Sequence, residues 1–344
     1  MRGFPMKHVV ILGAGKSGRG FIARLLYKEA AITFIDSDQD LVKRLNEEKG
    51  FSVRYFDGSP AEYITGFTAL HTDDPACIAA LQNCDAVFSS VRGENCSNAA
   101  LWLKDKLPDG TCLVACENAV LPSTLMGELE NRTCSAAVFC TTMATGTLDI
   151  FSENYPSLHV DAPKASAVVL GFSGIKGETD FSLLMLRKIY TYNASSGIIA
   201  YLGVQKQIES YAEAALNAEI AKELDHFYHE INTALSLEYG IPAQDQQQFA
   251  DNARKKFESR EIEDSVARNA ASPERKLNAN ERLIAPARLI QKHGGDPAPL
   301  CKAAAAALHY IPSVKTAEQA GAVLREISGL KNDETLYQQI LSYF

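Results

Sequence analysis

HVVILGAGKSGRG, residues 8–20, sets an apolar run, Val9-Val10-Ile11-Leu12, directly against glycines at the spacing Gly13, Gly15, Gly18. A buried parallel strand that turns sharply into a helix needs glycine at the turn and glycine where backbone nears a pyrophosphate. It needs a third where helix packs on strand. The backbone of Gly13, Ala14, Gly15, Lys16, Ser17 and Gly18 is then expected around phosphates, at the positive end of the following helix. Amphipathic Phe21 to Leu26 comes next, and a second apolar strand, Ile32 to Ile35, ends in Asp36. An acid about twenty residues past the glycines accepts hydrogen bonds from an adenosine ribose and repels a 2′-phosphate, so the pattern predicts NAD rather than NADP. The plainer alternative, a strand-turn-helix with a solvated aspartate, is disfavoured by this context. Gly15-Lys16-Ser17 imitates the end of a Walker-type loop, but the leading glycine of that motif would fall at Val10, inside the strand.

Outward from this unit, strands and helices alternate. A polar helix over about Asp38 to Lys49 precedes a strand at Phe51 to Tyr55 and a hairpin-like region at Gly58-Ser59-Pro60. Strand-like Phe67 to His71 leads to a helix opened by Asp74-Pro75. Buried strands at Asp85 to Val91 and Thr111 to Ala115 flank a helix at Ser97 to Leu107. A helix near Pro122 to Glu130 and a strand at Ala136 to Cys140 follow. Alternation of this kind predicts an α/β fold with a doubly wound, Rossmann-type parallel sheet. Ligands of such sheets lie outside the carboxyl ends of the strands, which adds Val91, Glu117 and Asn118 to the expected cofactor contacts.

From Thr141 to about Thr179 the chain reads as a connector of short β-like pieces, including His159 to Ala162 and Ala165 to Phe172. Beyond it the pattern is helical almost throughout, with a longest helix expected from about Lys206 to Tyr239 and stopped by Gly240-Ile241-Pro242. The expected division is therefore a nucleotide-binding domain with its connector, 1–179, and an all-α domain, 180–344.

Composition narrows the partners. Of the 344 residues 46% are hydrophobic, and no apolar run reaches the eighteen or so residues of a membrane span. The net charge of −8 lacks the concentrated basic face that nucleic acid requires, while a small anion needs only two or three local cations. Met1 to Pro5 leads straight into the first strand, so no signal peptide is expected, and a cytoplasmic setting follows. The eight cysteines have no paired spacing and read as reduced thiols. Cys112 and Cys116, four strand rises apart, are too distant for one zinc ion. His226 and His229 lack a third ligand, so no metal site is expected.

The helical half opens with RKIYTYNASSGIIAYLG, residues 187–203. Lys188 follows Leu184, Met185 and Leu186, and burial among them would lower its pKa and fit it to accept a proton. Asn193 offers a neutral amide donor to a carbonyl or alkoxide oxygen, and Ser196 lies one helical turn on. On the residues alone a second reading stands beside this one: Lys188 snorkels to solvent and Asn193 caps a helix. Arg275, Lys276 and Arg282 form a cationic group that suits a phosphate or carboxylate, or else a solvated turn opened by Ser272-Pro273.

The glycine loop GAGKSGRGFIARLL, Cys116-Glu117-Asn118, the run from Arg187, Glu274-Arg275-Lys276-Leu277-Asn278 with Arg282-Leu283-Ile284, and Ile327-Ser328-Gly329-Leu330 together resemble the polyol-specific long-chain dehydrogenases, the mannitol dehydrogenase family. The match runs collinearly from the first strand to the last helix. It implies an N-terminal nucleotide-binding domain, an all-helical C-terminal domain and metal-independent hydride transfer between NAD and a polyol or sugar phosphate. Lys188 and Asn193 match the lysine and asparagine of the family's K-x4-N-x2-H motif, which implies a general acid/base and a polariser of the reacting oxygen. Asn118 matches the asparagine contributed by the nucleotide domain. Two departures stand out. Ser196 takes the place of the motif's histidine, and Thr141-Thr142 stands where an Asp-Arg pair is usual. They leave two further readings, a sugar-acid oxidoreductase of the fructuronate or tagaturonate type and an NAD-binding protein impaired in catalysis.

Overall fold

A computed structural model describes residues 6–119 and 121–344, which leaves the stretch used for the signal-peptide reading outside the described residues. The chain forms two compact units, Met1–Met185 and Leu186–Phe344, and the division falls within the helix Phe181–Lys188.

The first unit is built on β1 (Lys7–Leu12), whose continuous apolar run is explained by burial on both faces. Val9 and Ile11 enter a core with Phe21, Ile22 and Phe34, while Val10 and Leu12 enter a second core with Ile35, Val87 and Leu113. The remaining strands are β2 (Ala30–Asp36), β3 (Gly50–Tyr55), β4 (Glu62–Thr65), β5 (Thr68–His71), β6 (Ala86–Ser89), β7 (Cys112–Ala115), β8 (Thr133–Ala137), β9 (Thr142–Ala144), β10 (Ile150–Ser152), β11 (Leu158–Asp161) and β12 (Ile175–Glu178). The main sheet has the order β12-β11-β8-β7-β6-β1-β2-β5, and every pair is parallel except β8 with β11. This is the doubly wound Rossmann-type arrangement. Val9 pairs with Ile32 and with Ala86, so β1 lies where the strand order reverses, the place where such sheets bind ligands.

The stretch expected as a connector is part of the sheets. β11 and β12 extend the main sheet, while β9 and β10 join β3 and β4 in a second sheet of order β4-β3-β10-β9. Within it, Ala165 to Phe172 is not β-like. Ala167–Leu170 forms a short helix because the Ser166 side chain accepts a hydrogen bond from the Val169 N–H, a cap that outweighs the β preference of two valines. The helix expected near Pro122 is a series of tight turns, Pro122–Arg132, broken at Gly127, whose φ of 50° and ψ of −120° are not helical.

The second unit is helical, and its longest expected helix is divided. The helix Ala194–Gln205 ends near Gln207, which has a positive φ of 55°. Ser210 then caps Tyr211–Leu216, and Asn217 caps Ala218–Tyr239 by accepting from the Glu219 and Ile220 N–H groups. The apolar spacing runs on through Ser210 and Asn217, and it is these two caps that interrupt the helix. The left-handed Gly240 does end the last segment. The alanine-rich helix Ala298–His309 is buried along nearly its whole length and packs on Ala194–Gln205, where small side chains permit close approach.

Gly18 is the tightest point of the glycine turn: a Cβ there would lie 2.0 Å from the Gly13 carbonyl oxygen and 3.2 Å from Ser90 Oγ. Backbone cannot move aside as a side chain does, so Gly18→Ala is expected to destabilise the first unit by about 1–3 kcal/mol, the usual effect of overpacking. The midpoint of its urea transition, followed by far-ultraviolet circular dichroism, measures this.

Candidate functional site

In the nucleotide unit the turn after β1 and the end of β2 are joined by one side chain. Asp36 Oδ2 accepts a hydrogen bond from the Ala14 N–H at 2.6 Å and its Oδ1 accepts from the Asp38 N–H at 2.9 Å. These contacts fix the carboxylate at the rim of a cavity of about 540 Å³ lined by Gly13, Gly15, Asp36, Ser90, Val91 and Trp102, among others. A Cβ placed on Gly15 would meet nothing within 4 Å, so the backbone here is open to a ligand. Among the expected contacts, Lys16 is exposed and Ser17 half-buried, its Oγ 3.5 Å from Thr142 Oγ1. Gly18 is buried against Gly13 and faces no cavity. Thr142 thus flanks the glycine-loop helix.

Glu117 faces inward. Its side chain is buried, and Oε1 accepts from the Val91 N–H at 2.8 Å. Burial pushes its carboxyl up to about 7, against the lowering effect of the Val91 and Arg92 N–H groups. The Glu117 carboxylate therefore supports the wall of the cavity from beneath. Asn118, next in sequence, is exposed past the carboxyl end of β7. Two residues that sequence reasoning passed over belong here. Arg19 is buried and donates from Nε to the Ala14 carbonyl at 2.7 Å and to the Leu148 carbonyl, bracing the turn. Arg92 lines the cavity in a backbone conformation, φ 72° and ψ 146°, natural to glycine.

In the helical unit, Lys188 is 4% exposed. Burial brings its ammonium down to about 7, with Lys256 and Arg282 pushing the same way and Glu281 opposing. Between Lys188 and the next α-helix the chain winds a single π turn, Ile189–Asn193, in which the Ala194 N–H donates to the Ile189 carbonyl five residues back. Positions five apart point about 140° away from each other on an α-helix of 3.6 residues per turn. A turn that closes from i to i+5 stacks them instead. The π turn therefore puts positions 188 and 193 on one side of the helix. It is held in place by Gln246, fully buried, which accepts from Arg187 Nε at 3.1 Å and donates to Thr191 Oγ1 at 3.1 Å and to Asn232 Oδ1 at 3.0 Å. Ser196 follows one turn after Asn193, half-buried.

The three cations expected in a group do not behave alike. Arg275 is exposed and pairs with Glu281 Oε1 at 3.3 Å. Arg282 is buried and its Nε pairs with Glu281 Oε2 at 3.1 Å. Lys276 is buried too. It donates to the Asn269 carbonyl, sits 5.5 Å from the Tyr201 ring, and is brought down to about 7 by burial and by Arg282 and Arg275. Lys276 and Arg282 are therefore buried, while Arg275 stays at the solvated edge of the turn. Gly197 admits it: a Cβ there would lie 3.0 Å from Leu283 Cδ2 and 3.8 Å from Arg282 Cδ, so Arg282 lies against the helix beside Ser196. Of the histidines weighed for metal, His226 has Glu230 at 3.8 Å and Asp296 at 3.6 Å. Among the described residues no group of three or more His, Cys, Asp or Glu is close enough to hold an ion.

Residues 182–338 match the family described as the mannitol dehydrogenase C-terminal domain. The chain is 29% identical to the mannitol-1-phosphate 5-dehydrogenase of Bacillus pumilus (strain SAFR-032), over 96% of this chain and 97% of that protein. It is 25% identical to the enzyme of the same name from Podospora anserina, over 97% and 95%. Among solved structures it resembles a D-sorbitol dehydrogenase in substrate-free form, TM-score 0.72 at 13% identity, covering 97% and 91%. It also resembles the Pseudomonas fluorescens mannitol 2-dehydrogenase ternary complex with NAD and D-mannitol, TM-score 0.69 at 12% identity, covering 98% and 90%.

The buried Glu117 makes a stability prediction. Its carboxyl titrates higher in the fold than in the unfolded chain, so the stability it contributes is full at acid pH and is lost as pH rises through about 7. Glu117→Gln keeps the acceptor for Val91 without the charge. The variant is expected to match the parent near pH 4.5 and to exceed it above pH 7, by on the order of 2 kcal/mol. Thermal melts across that range measure the difference.

Proposed function

We propose that this chain, which matches the mannitol dehydrogenase C-terminal domain and full-length mannitol-1-phosphate 5-dehydrogenases, is a member of the mannitol dehydrogenase family and oxidises a polyol or sugar phosphate of the mannitol 1-phosphate type with NAD. It is a dehydrogenase acting on a CH–OH group. The observation that carries the finer reading is the pairing of a desolvated lysine with an amide donor on one side of a π-turned helix. Bound NAD would supply the acceptor for the hydride lost from the carbinol carbon. Gly13 to Gly18 and the cavity beside Asp36 suit its phosphates and ribose: the open backbone at Gly15 gives room for the pyrophosphate, and the Asp36 carboxylate has lone pairs beyond those used by Ala14 and Asp38.

Lys188, whose ammonium is brought down to about 7 and which is therefore increasingly the neutral amine above that pH, takes the hydroxyl proton on Nζ as the C–H bond breaks, and returns it in the reverse direction. The Asn193 amide donates to the reacting oxygen and holds it against Nζ. Arg282 and Lys276 suit the anionic end of the substrate, whose charge would add to that of the Glu281 carboxylate already paired with Arg282 and Arg275. A carboxylate would satisfy the same cations, which is the observation favouring the sugar-acid reading. No helix among the described residues is long and apolar enough to cross a membrane, and the acidic chain suits a cytoplasmic small-molecule enzyme that does not bind nucleic acid.

Turnover of NAD with a panel of hexitol phosphates, polyols and aldonates tests the proposal. Mannitol 1-phosphate is expected to lead, aldonates leading would shift it to sugar acids, and turnover of none would refute it. NAD is expected to bind at least about tenfold more tightly than NADP, the 1.4 kcal/mol equivalent of one phosphate misplaced beside Asp36. Calorimetric titration with each nucleotide reads this directly. Lys188→Ala is expected to lower kcat by about two to four orders of magnitude and leave NAD affinity unchanged. In the parent, kcat/KM for oxidation should rise with pH through about 7 and then level, because the proton acceptor is the neutral amine. A profile flat across pH 6–8 would remove Lys188 from that role.

A further inference from the structure

Two tyrosines from neighbouring helices end against the serines that follow Asn193. Tyr228 Oη is buried near Ser195, but Ser195 Oγ already donates to the Thr191 carbonyl at 2.7 Å and reaches the Tyr192 carbonyl at 3.2 Å. Ser196, among the described residues, makes no such bond to its own helix. Tyr211 faces it. This phenol is 5% exposed, and its Oη is fully enclosed with no hydrogen bond closed in the structure, although Ser196 is the hydroxyl it confronts. The ring is fixed edge-on to Phe257, with centroids 5.7 Å apart, and the Tyr211 N–H donates to the Asp264 carbonyl at 3.0 Å. An enclosed hydroxyl without a partner is unfavourable, so its retention here calls for an explanation.

We infer that Tyr211 is a positioning residue for the proposed reaction: its phenol donates to Ser196 Oγ, so that the Ser196 proton is directed at the substrate oxygen adjoining the one held by Asn193. A serine hydroxyl donates one hydrogen bond and accepts others, so a donor behind it fixes the direction of its proton. Asn193 and Ser196 are three residues apart on one helix face, a separation that suits oxygens on adjacent carbons of a polyol chain. Hydrogen bonds of this kind are often long before substrate binds and tighten with it. Ser196 is half-buried and able to reach a ligand, while Tyr211 is not. The inference rests on the polyol reading above and adds a residue that selects for a neighbouring hydroxyl.

The test compares the parent, Tyr211→Phe, Ser196→Ala, Ser196→Thr and the double variant Tyr211→Phe/Ser196→Ala, each assayed with NAD and mannitol 1-phosphate. A second substrate is the analogue lacking the hydroxyl on the carbon next to the oxidised one. Tyr211→Phe and Ser196→Ala are each expected to lower kcat/KM about tenfold on the full substrate. The double variant should be no worse than either, and Ser196→Thr should restore most of the activity. On the deoxy analogue the parent should already have lost the tenfold and Tyr211→Phe should lose nothing further. Without substrate the melting temperature of Tyr211→Phe should equal or exceed that of the parent, since the hydroxyl removed closes its bond to Ser196 only when substrate binds. Unchanged kcat/KM in Tyr211→Phe, additive losses in the double variant, or a loss of activity that tracks a lower melting temperature would each overturn the inference and leave the polyol reading standing. A parent that turns over no polyol or hexitol phosphate would overturn both.

Discussion

One turn of helix wound a residue too wide governs the helical unit. With the Ala194 N–H bonded to Ile189 and not to Tyr190, the register of everything after Asn193 is advanced by one residue relative to Lys188. An uninterrupted α-helix would carry position 193 away from position 188. Such a turn is locally less stable than α-helix, and single π turns recur where function needs a shifted register. Here the difference is offset by a buried network. Gln246 spans Arg187, Thr191 and Asn232, and Ser195 Oγ binds back to the Thr191 carbonyl inside the turn. The bonds of Gln246 and Ser195 to Thr191 tie the turn to buried groups that would lose a partner if it relaxed.

Desolvation is the second constraint. Lys188, Lys276 and Arg282 are all buried, with Glu281 as the carboxylate shared by Arg282 and Arg275. Taking several cations out of water with one counter-charge is unfavourable, and the fold relieves it by making the lysines easy to deprotonate. That relief is what equips Lys188 to exchange a proton near neutrality, while the charge that stays on the Arg282 guanidinium favours an anionic ligand. Structural ion pairs also perturb titration, but here the perturbed lysine stands beside an amide donor, which an ion-pair network does not require.

The legible parts of the sequence were those whose physics is local. The glycine spacing, the run Val9 to Leu12 and the aspartate closing β2 announced the nucleotide unit because turn geometry, two-sided burial and strand ends leave marks within a few residues. The capped helix after Asp38 was readable for the same reason, since Asp38 accepts from the Leu41 N–H. Where a cap competed with a propensity, as at Ser166, Ser210 and Asn217, the pattern read as strand or continuous helix and the cap decided otherwise. The site was legible in its residue types and not in its arrangement. Lys188, Asn193 and Ser196 stood together in one run, whereas Gln246, Tyr211, Arg19 and the burial of Lys276 depend on chain segments distant in sequence. A K-x4-N spacing holds the clue to the π turn, since two groups with a common task sit badly five apart on an α-helix.

The two units solve a common problem in parallel ways. A segment that presents groups to a ligand is seldom in its most relaxed conformation, and it persists only if its surroundings determine it more strongly than its own preferences do. In the helical unit that segment is the π turn and its support is an uncharged glutamine. In the nucleotide unit it is Val91-Arg92, where an arginine takes a glycine-like conformation that is unfavourable by about 1–3 kcal/mol. Its support is Glu117, which accepts from the Val91 N–H, while Asn95 Nδ2 donates to the Val91 carbonyl at 2.8 Å. The difference between the supports matters. Gln246 cannot titrate, so the π turn has the same anchor at every pH, whereas Glu117 gains or loses a proton near neutrality and remains an acceptor in both forms. The hydrogen bond to Val91 therefore survives the titration, and what changes with pH is the charge beneath the cavity wall. An anionic ligand in that cavity would be held with less repulsion when Glu117 is protonated, a dependence that the shape of the cavity alone would not produce.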